Sequence, residues 1–349
     1  MSAVREPLRD AAGTWPAVSV VVPVLNEERH LRDAVQRILG QAYPGPLEVV
    51  LALGPSRDRT DQVAAELVAA DPRVVTVANP TGRTPAGLNA AIAASRHPVV
   101  VRVDGHGLLA PGYVETAVRL LDETGADNVG GLMAAEGVTP FEQAVARAMT
   151  SVFGVGGARF HTGGQAGPAQ TVYLGVFRRE VLERMGGYDE AFVRAQDWEL
   201  NHRIREASGL VWFSPELSVT YRPRSTVRAL ARQYFDYGRW RRVVMRQHAG
   251  TVSLRYLAAP TAVAGSLLGL AVAPFTAWGL LLPGGYLAAV VAASVVTSSG
   301  LSARARLALP LVYATMHLSW GSGFLTSPRE LARRVRGGPV PVAAGGTVA

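Results

Sequence analysis

Between Leu254 and Leu325 the chain carries only three charged residues, Arg255, Arg304 and Arg306. No other feature restricts its architecture as strongly. Tyr256–Leu282, Tyr286–Leu301 and Leu307–Leu325 are apolar and rich in Ala, Leu, Val and Gly, and each is close to the roughly 20 residues a helix needs to cross a bilayer. A soluble core with no polar face over that length would be unusual. The sequence therefore predicts two or three membrane helices in residues 254–326 and a basic tail over 327–349. Basic loops favour the cytoplasmic side, yet the third stretch separates Arg304 and Arg306 from Arg329, Arg333, Arg334 and Arg336. Either that segment is re-entrant or interfacial, or the tail lies on the other side.

The N-terminal part reads differently. Residues 1–17 mix both charge signs, and Val18–Leu25 is short, interrupted by Pro23 and closed by Asn26, so no signal peptide is read there. The expectation is a multi-pass protein of the cytoplasmic membrane whose first domain faces the cytoplasm. At 349 residues the prior is two units, and 48% hydrophobic with 18% charged residues excludes a disordered chain. With no cysteine, disulfides, thiolate metal sites and cysteine nucleophiles are excluded. The net charge of +8 comes from arginine alone on the basic side. That composition suits anionic ligands or an anionic surface, and it equally suits a GC-rich genome. No nucleic-acid recognition motif accompanies the arginines, so nucleic acid is not an expected partner.

β-branched runs at Val18–Val22, Glu48–Leu53, Val74–Val77 and Val99–Val103 alternate with helix-like stretches at Glu28–Leu39, Thr60–Ala70, Pro85–Ser95 and Pro111–Glu123. Such alternation predicts βαβ units and an α/β fold, a mostly parallel sheet with flanking helices. Ligands of open α/β sheets bind beyond the carboxyl ends of the strands. Those ends carry Asn26 and Glu27, then Ser56 and Asp58, then Asn79 to Arg83, then Asp104 and His106. In Asp104-Gly105-His106 a carboxylate and an imidazole can reach one divalent ion. Their oxygen and nitrogen donors suit Mg²⁺ or Mn²⁺. An isolated D-x-H is more often a turn aspartate beside an exposed histidine; its place after the fourth strand favours the metal.

The ordered motifs resemble those of glycosyltransferase family 2, with its Rossmann-like GT-A fold. They are Val20-Val21-Val22-Pro23-Val24-Leu25-Asn26-Glu27-Glu28, Asn79-Pro80-Thr81-Gly82-Arg83 with Gly87-Leu88-Asn89, and Arg102-Val103-Asp104-Gly105-His106. Leu174-Gly175-Val176-Phe177, Gly186-Gly187-Tyr188-Asp189-Glu190 and Gln196-Asp197-Trp198-Glu199-Leu200 with Arg203 follow. The likeness is to membrane-anchored transferases of bacterial exopolysaccharide assembly, the succinoglycan-biosynthesis type. It implies a catalytic domain over 18–224, a nucleotide-sugar donor and a lipid-linked or glycan acceptor. It also implies that Pro23, Asn26 and Glu27 border the base and ribose and that Arg83 lies near base or phosphates. Asn89, Asp104, Gln196, Trp198 and Arg203 complete the substrate-binding set. Asp104 and His106 stand where the family has its metal-binding D-x-D, and Asp197 where it has the general base of inverting transfer. A base there takes the acceptor's hydroxyl proton, while a metal stabilises the leaving diphosphate. A helix over Trp198–Glu206 would equally let Asp197 serve as an N-cap.

Three positions depart from the family pattern. Leu53-Gly54-Pro55 replaces the usual aspartates after the second strand. Gln196 replaces a glutamate. Gln233 and Arg239-Trp240 have the wrong spacing for the Q-x-x-R-W of processive enzymes, which favours addition of single sugars. Gly154–Gly167, with six glycines, reads as a lid or an ordinary mobile loop. Residues 225–253 read as an arginine-rich amphipathic helix, either interfacial or packed on the protein. The expected activity is inverting, metal-dependent sugar transfer to a membrane-bound, polyprenyl-linked acceptor. The alternatives are a polyprenyl-phosphate sugar synthase and a non-catalytic membrane assembly subunit.

Overall fold

The computed structural model describes residues 7–331 other than Ala11 and Ala249, so Arg333, Arg334, Arg336 and the rest of the tail lie outside the described residues. The described chain divides into two units. One comprises residues up to 133 with 163–221, and the other comprises 134–162 with 222 onward.

The first unit begins with the alternation the sequence implies: β1 (Val18–Val24), α1 (Leu31–Leu39), β2 (Leu47–Leu53), α2 (Thr60–Ala70), β3 (Val74–Ala78), α3 (Thr84–Ala94) and β4 (Val99–Arg102). β1 runs parallel to β2 and β4, and β2 parallel to β3. β1, β2 and β4 are buried almost throughout, as strands covered on both faces must be. Helix α1 shows how the cover works. Leu31, Ala34, Val35 and Ile38 form one fully buried stripe, while Arg32, Asp33, Gln36 and Arg37 face solvent. At about 1.5–3 kcal/mol per large apolar side chain, this stripe outweighs intrinsic helix propensity.

The sheet then changes character. β5 (Leu108–Leu109), α4 (Tyr113–Thr124), β6 (Asn128–Ala135), α5 (Pro140–Met149), α6 (Val152–Val155), α7 (Arg159–Thr162), β7 (Gly167–Pro168), β8 (Tyr173–Arg178), α8 (Arg179–Met185), α9 (Gln196–Glu206) and β9 (Val211–Tyr221) follow. Among the described residues the strand order is β3-β2-β1-β4-β8-β6-β9-β5, with β7 on β9. β8 is antiparallel to β4 and β6, and β9 is antiparallel to β5 and β7. The sheet is thus parallel in its first half and mixed overall. A Cβ on Gly131 would lie 1.9 Å from the Leu217 carbonyl oxygen, so β6 can lie this close to β9 only without a side chain there.

The second unit is helical: α5, α6 and α7, then α10 (Val227–Gln247), α11 (Ala258–Val272), α12 (Leu281–Thr297) and α13 (Ala303–Leu325). Thr139 caps α5 with Glu142 in a reciprocal box, a start signal written in the sequence as T-P-F-E. Glycines set the helix contacts. A Cβ on Gly238 would lie 2.0 Å from the Trp320 carbonyl, and one on Gly323 would lie 2.0 Å from that of Phe235. α10 therefore packs along α13 backbone to backbone. Arg242 lies over the Phe324 ring, and Arg246 donates to the carbonyls of Ser327 and Pro328.

Two expectations change here. Only Ala277–Thr297, 21 residues, is long and apolar enough to cross a membrane among the described residues. Tyr256–Leu282 is not one span, because α11 stops at Val272, and its 15 residues reach only about 22 Å at 1.5 Å per residue. α13 has the length, with 23 residues, but Arg304, Arg306, His317 and its hydroxyl residues leave it too polar. Two or three spanning helices are therefore not supported. Gly154–Gly167 is also more structured than its glycines suggest. It contains the end of α6, all of α7 and the first residue of β7, and a Cβ on Gly154 would lie 2.0 Å from the Ala148 carbonyl.

Candidate active site

The loops after β1 and β2 are stapled together. Asn26 takes a left-handed backbone (φ 56°), a conformation asparagine tolerates better than most residues. Its N–H donates to Ser56 Oγ (3.0 Å), and its side-chain oxygen accepts from Arg57 N–H (2.8 Å). Glu27 N–H donates to Thr60 Oγ1 (2.8 Å) and Glu28 N–H to Asp58 Oδ2 (3.2 Å). Ser56, Asp58 and Thr60 thus build the β1 loop from behind. Pro23 fits at the end of β1 because pairing with β4 stops at Val21 and Arg102, so its missing N–H costs no ladder bond.

A second loop is folded by Asn79, which is buried. Its amide donates to the Arg83 carbonyl and accepts from Thr81 Oγ1. Arg83 is left exposed just ahead of α3, where a cation can meet an anionic ligand. Asn89 of α3 accepts from Tyr188 N–H (2.8 Å) and donates to the Tyr188 carbonyl (2.8 Å) and Glu190 Oε1 (3.1 Å). Its side chain is occupied in pinning the Gly186–Glu190 turn.

The end of β4 gathers the charged groups. Arg102, buried at 4% side-chain exposure, donates through Nη2 to Asp104 Oδ1 (2.9 Å) and through Nη1 to Asp197 Oδ1. His106 Nδ1 lies 2.7 Å from Glu27 Oε1. A Cβ on Gly105 would come within 3.0 Å of the Glu27 side chain, which explains why glycine separates Asp104 from His106. Burial pushes the Asp104 carboxyl up, but Arg102, His106 and Arg194 outweigh it and hold it below its ordinary range. Two links of long sequence separation thus meet at the end of β4: Arg102 holds Asp104 and Asp197, the latter 95 positions away, and His106 pairs with Glu27, 79 positions away.

Asp197 does not cap α9. The cap position is Ala195, at φ 62°, and Asp197 sits in the first turn, where a negative charge is favoured by the helix dipole. Gln196 opens the helix, and Trp198 stacks on His202 at 5.1 Å. Arg203 is engaged elsewhere. It grips the buried Glu199 with both Nε (2.6 Å) and Nη2 (2.8 Å), and it donates to the carbonyls of Met185 and Gly187. In this geometry Arg203 fastens α9 to the Met185–Gly187 segment. Arg203→Gln is expected to cost about 1.5–3 kcal/mol of stability, the usual worth of hydrogen bonds to a charged group. Thermal unfolding checks this, with donor affinity of the folded protein unchanged; weaker donor binding at unchanged stability would return Arg203 to the substrate.

Arg102 and Arg194 were not singled out from sequence. The available signal for Arg102 is an arginine ending an otherwise apolar strand, since a buried charge demands partners. No group of three or more His, Asp or Glu side chains converges among the described residues. Asp104 offers the kind of ligand a hard divalent cation takes, because Mg²⁺ is ordinarily bound by one or two carboxylates with water and substrate phosphates filling the other positions, and His106 adds a nitrogen donor two residues on.

A mixed α/β sheet of nine strands among the described residues, with Asp104 and His106 just beyond β4, has the GT-A fold. The family model for glycosyl transferase family 2 matches residues 19–186. Succinoglycan biosynthesis protein ExoA of Rhizobium meliloti (strain 1021) is 33% identical over 328 residues, 90% of this chain and 96% of that protein. The chain belongs to glycosyl transferase family 2 and is a glycosyltransferase. A dolichyl N-acetyl-alpha-D-glucosaminyl phosphate 3-beta-D-2,3-diacetamido-2,3-dideoxy-beta-D-glucuronosyltransferase of Methanococcus voltae is 23% identical over 66% of this chain and 74% of its own. Among solved structures, mannosyltransferase PcManGT from Pyrobaculum calidifontis, in complex with GDP-Man and Mn²⁺, shares the fold with a TM-score of 0.56 and 21% identity, covering 89% of this chain and 87% of its own.

Proposed function

We propose that the protein transfers a single sugar, with inversion, from a nucleotide-sugar donor to a polyprenyl-linked acceptor at the cytoplasmic face of a membrane, in exopolysaccharide or cell-envelope glycan synthesis. The observation that supports this reading is the buried Arg102, which joins Asp104 to Asp197; we take the first as the donor-side carboxylate and the second as the proton acceptor. The Asn26–Glu27 loop and Arg83 border the nucleotide. The acceptor hydroxyl oxygen attacks the anomeric carbon as its proton passes to Asp197 and the bond to the diphosphate breaks. A Mg²⁺ or Mn²⁺ held by Asp104 and His106 would, when bound, supply positive charge for that leaving group. Support for a metal comes from the Mn²⁺ of the mannosyltransferase complex, and support for a lipid carrier from the dolichyl phosphate in the name of the archaeal relative.

The second unit fits membrane attachment through one spanning helix. α12 leaves Leu281, Leu282, Leu287, Val291, Val295 and Val296 exposed, and together with the short 3-10 turn before it forms the 21-residue apolar segment Ala277–Thr297, which matches a hydrocarbon core of about 30 Å. Arg228 and Arg232 are exposed on α10, where they suit an anionic interface. With α13 packed on α10 rather than spanning, Arg304, Arg306 and Arg329 need not be on opposite sides. The test is a donor screen on membranes holding the full chain, with nucleotide sugars, Mn²⁺ and a lipid extract. Nucleotide release coupled to labelled lipid is the expected result. Release of nucleotide with label only in a water-soluble glycan would overturn the lipid acceptor.

A further inference from the structure

We propose that Arg102 is a positioning residue that holds Asp197 in register with Asp104, so that the two carboxylates operate as one unit. This rests on the reading of Asp197 as the base. The geometry has the form of a support. The guanidinium is buried at 4% exposure, whereas the carboxylates it holds are 22% (Asp104) and 26% (Asp197) exposed. The cation thus lies beneath the surface and the two anions stand over it toward solvent. Burying a guanidinium is costly unless its hydrogen bonds are met, and a single carboxylate would suffice for a purely structural pair. Here each terminal nitrogen holds a different carboxylate, one from the strand's own end and one from α9, 95 positions away. Only a planar fork can do both at once. β4 is Val99, Val100 and Val101 before Arg102, the residue facing Arg102 across the sheet is Gly175 of β8, and Tyr173 and Tyr188 also lie near the guanidinium. Nε of Arg102 has no hydrogen-bond partner among the described residues, so the two terminal pairs carry the guanidinium.

Because Asp197 is held from below, its carboxylate keeps one orientation toward an incoming hydroxyl, and misplacing a catalytic group by an ångström can cost about 100-fold. The test is a double-mutant cycle in the full-length protein in membranes, with Arg102→Lys, Arg102→Gln, Asp197→Asn and the combined variants. Each Arg102 variant is expected to lower kcat about 10- to 100-fold with donor KM within about threefold of wild type, Lys being the milder because it keeps the charge and loses the fork. On the Asp197→Asn background the same Arg102 changes are expected to add less than about threefold, because residues acting through one another are not additive. Full additivity overturns the proposal, as does a loss confined to thermal stability or a rise in KM at unchanged kcat. If Arg102→Gln does not fold, the Arg102→Lys cycle decides alone. Near-normal turnover by Asp197→Asn would instead overturn the assignment of the base, which separates the two failures.

Discussion

Asp197→Asn is expected to slow sugar transfer by about 10²–10⁴-fold, the usual worth of general-base catalysis, while the dissociation constant of the donor stays nearly unchanged. Asparagine keeps the size of the side chain and can still accept from Arg102, so the assembly around the end of β4 loses little of its shape. What it loses is the proton acceptor. The alternative role of Asp197 as a helix cap predicts near-normal turnover, since asparagine caps as well as aspartate. The structure already weighs against that role, because Ala195 holds the cap position. Turnover is measured with saturating donor and acceptor. A rate within a few-fold of wild type would move the base elsewhere, and Glu199, gripped by Arg203, is poorly placed to substitute.

The second large effect concerns the donor side. Asp104→Asn and His106→Ala are each expected to lower transfer by at least about 100-fold, because charge stabilisation of a leaving diphosphate is worth several kcal/mol and each 1.4 kcal/mol is tenfold. EDTA should abolish activity in wild-type membranes and Mn²⁺ should restore it. The two substitutions differ in their secondary effects. Asp104→Asn removes one of the two charges on Arg102, whereas His106→Ala leaves the pair to Asp104 intact and releases Glu27. Protein level and membrane association should be unchanged in both. Full activity of wild-type membranes in EDTA would remove the metal from the account.

The parallel half of the sheet was legible because its strands are buried on both faces and therefore read as continuous β-branched runs, separated by helices whose stripes repeat at 3.6 residues. The four strand ends, and with them Asn26, Glu27, Asp104 and His106, followed from that pattern. The antiparallel half was not legible. β6 and β9 meet through Gly131 and the Leu217 backbone, and β5 and β7 are two residues each, too short to carry a period. Arg102 lay in plain view at the end of Val99–Val101, but its partner Asp197 is 95 positions away, and no local spacing reports such a pair. Arg203 shows a related limit: its motif position suggests a substrate role, but its contacts with Glu199, Met185 and Gly187 join segments whose proximity no spacing reports. In the second unit, hydropathy marked a long apolar region without showing where helices break. The end of α11 at Val272 leaves that helix too short to span, and neither this break nor the glycine contacts between α10 and α13 can be read from hydropathy.

The most direct test of the central claim is the anomeric configuration of the transferred sugar. Full-length protein in membranes is supplied with the donor that the screen identifies, and the product linkage is read by NMR against the configuration of that donor. Attack on the face opposite the nucleotide, with Asp197 taking the hydroxyl proton, predicts inversion. Retained configuration would contradict single displacement and, with it, the role given to the assembly of Arg102, Asp104 and Asp197.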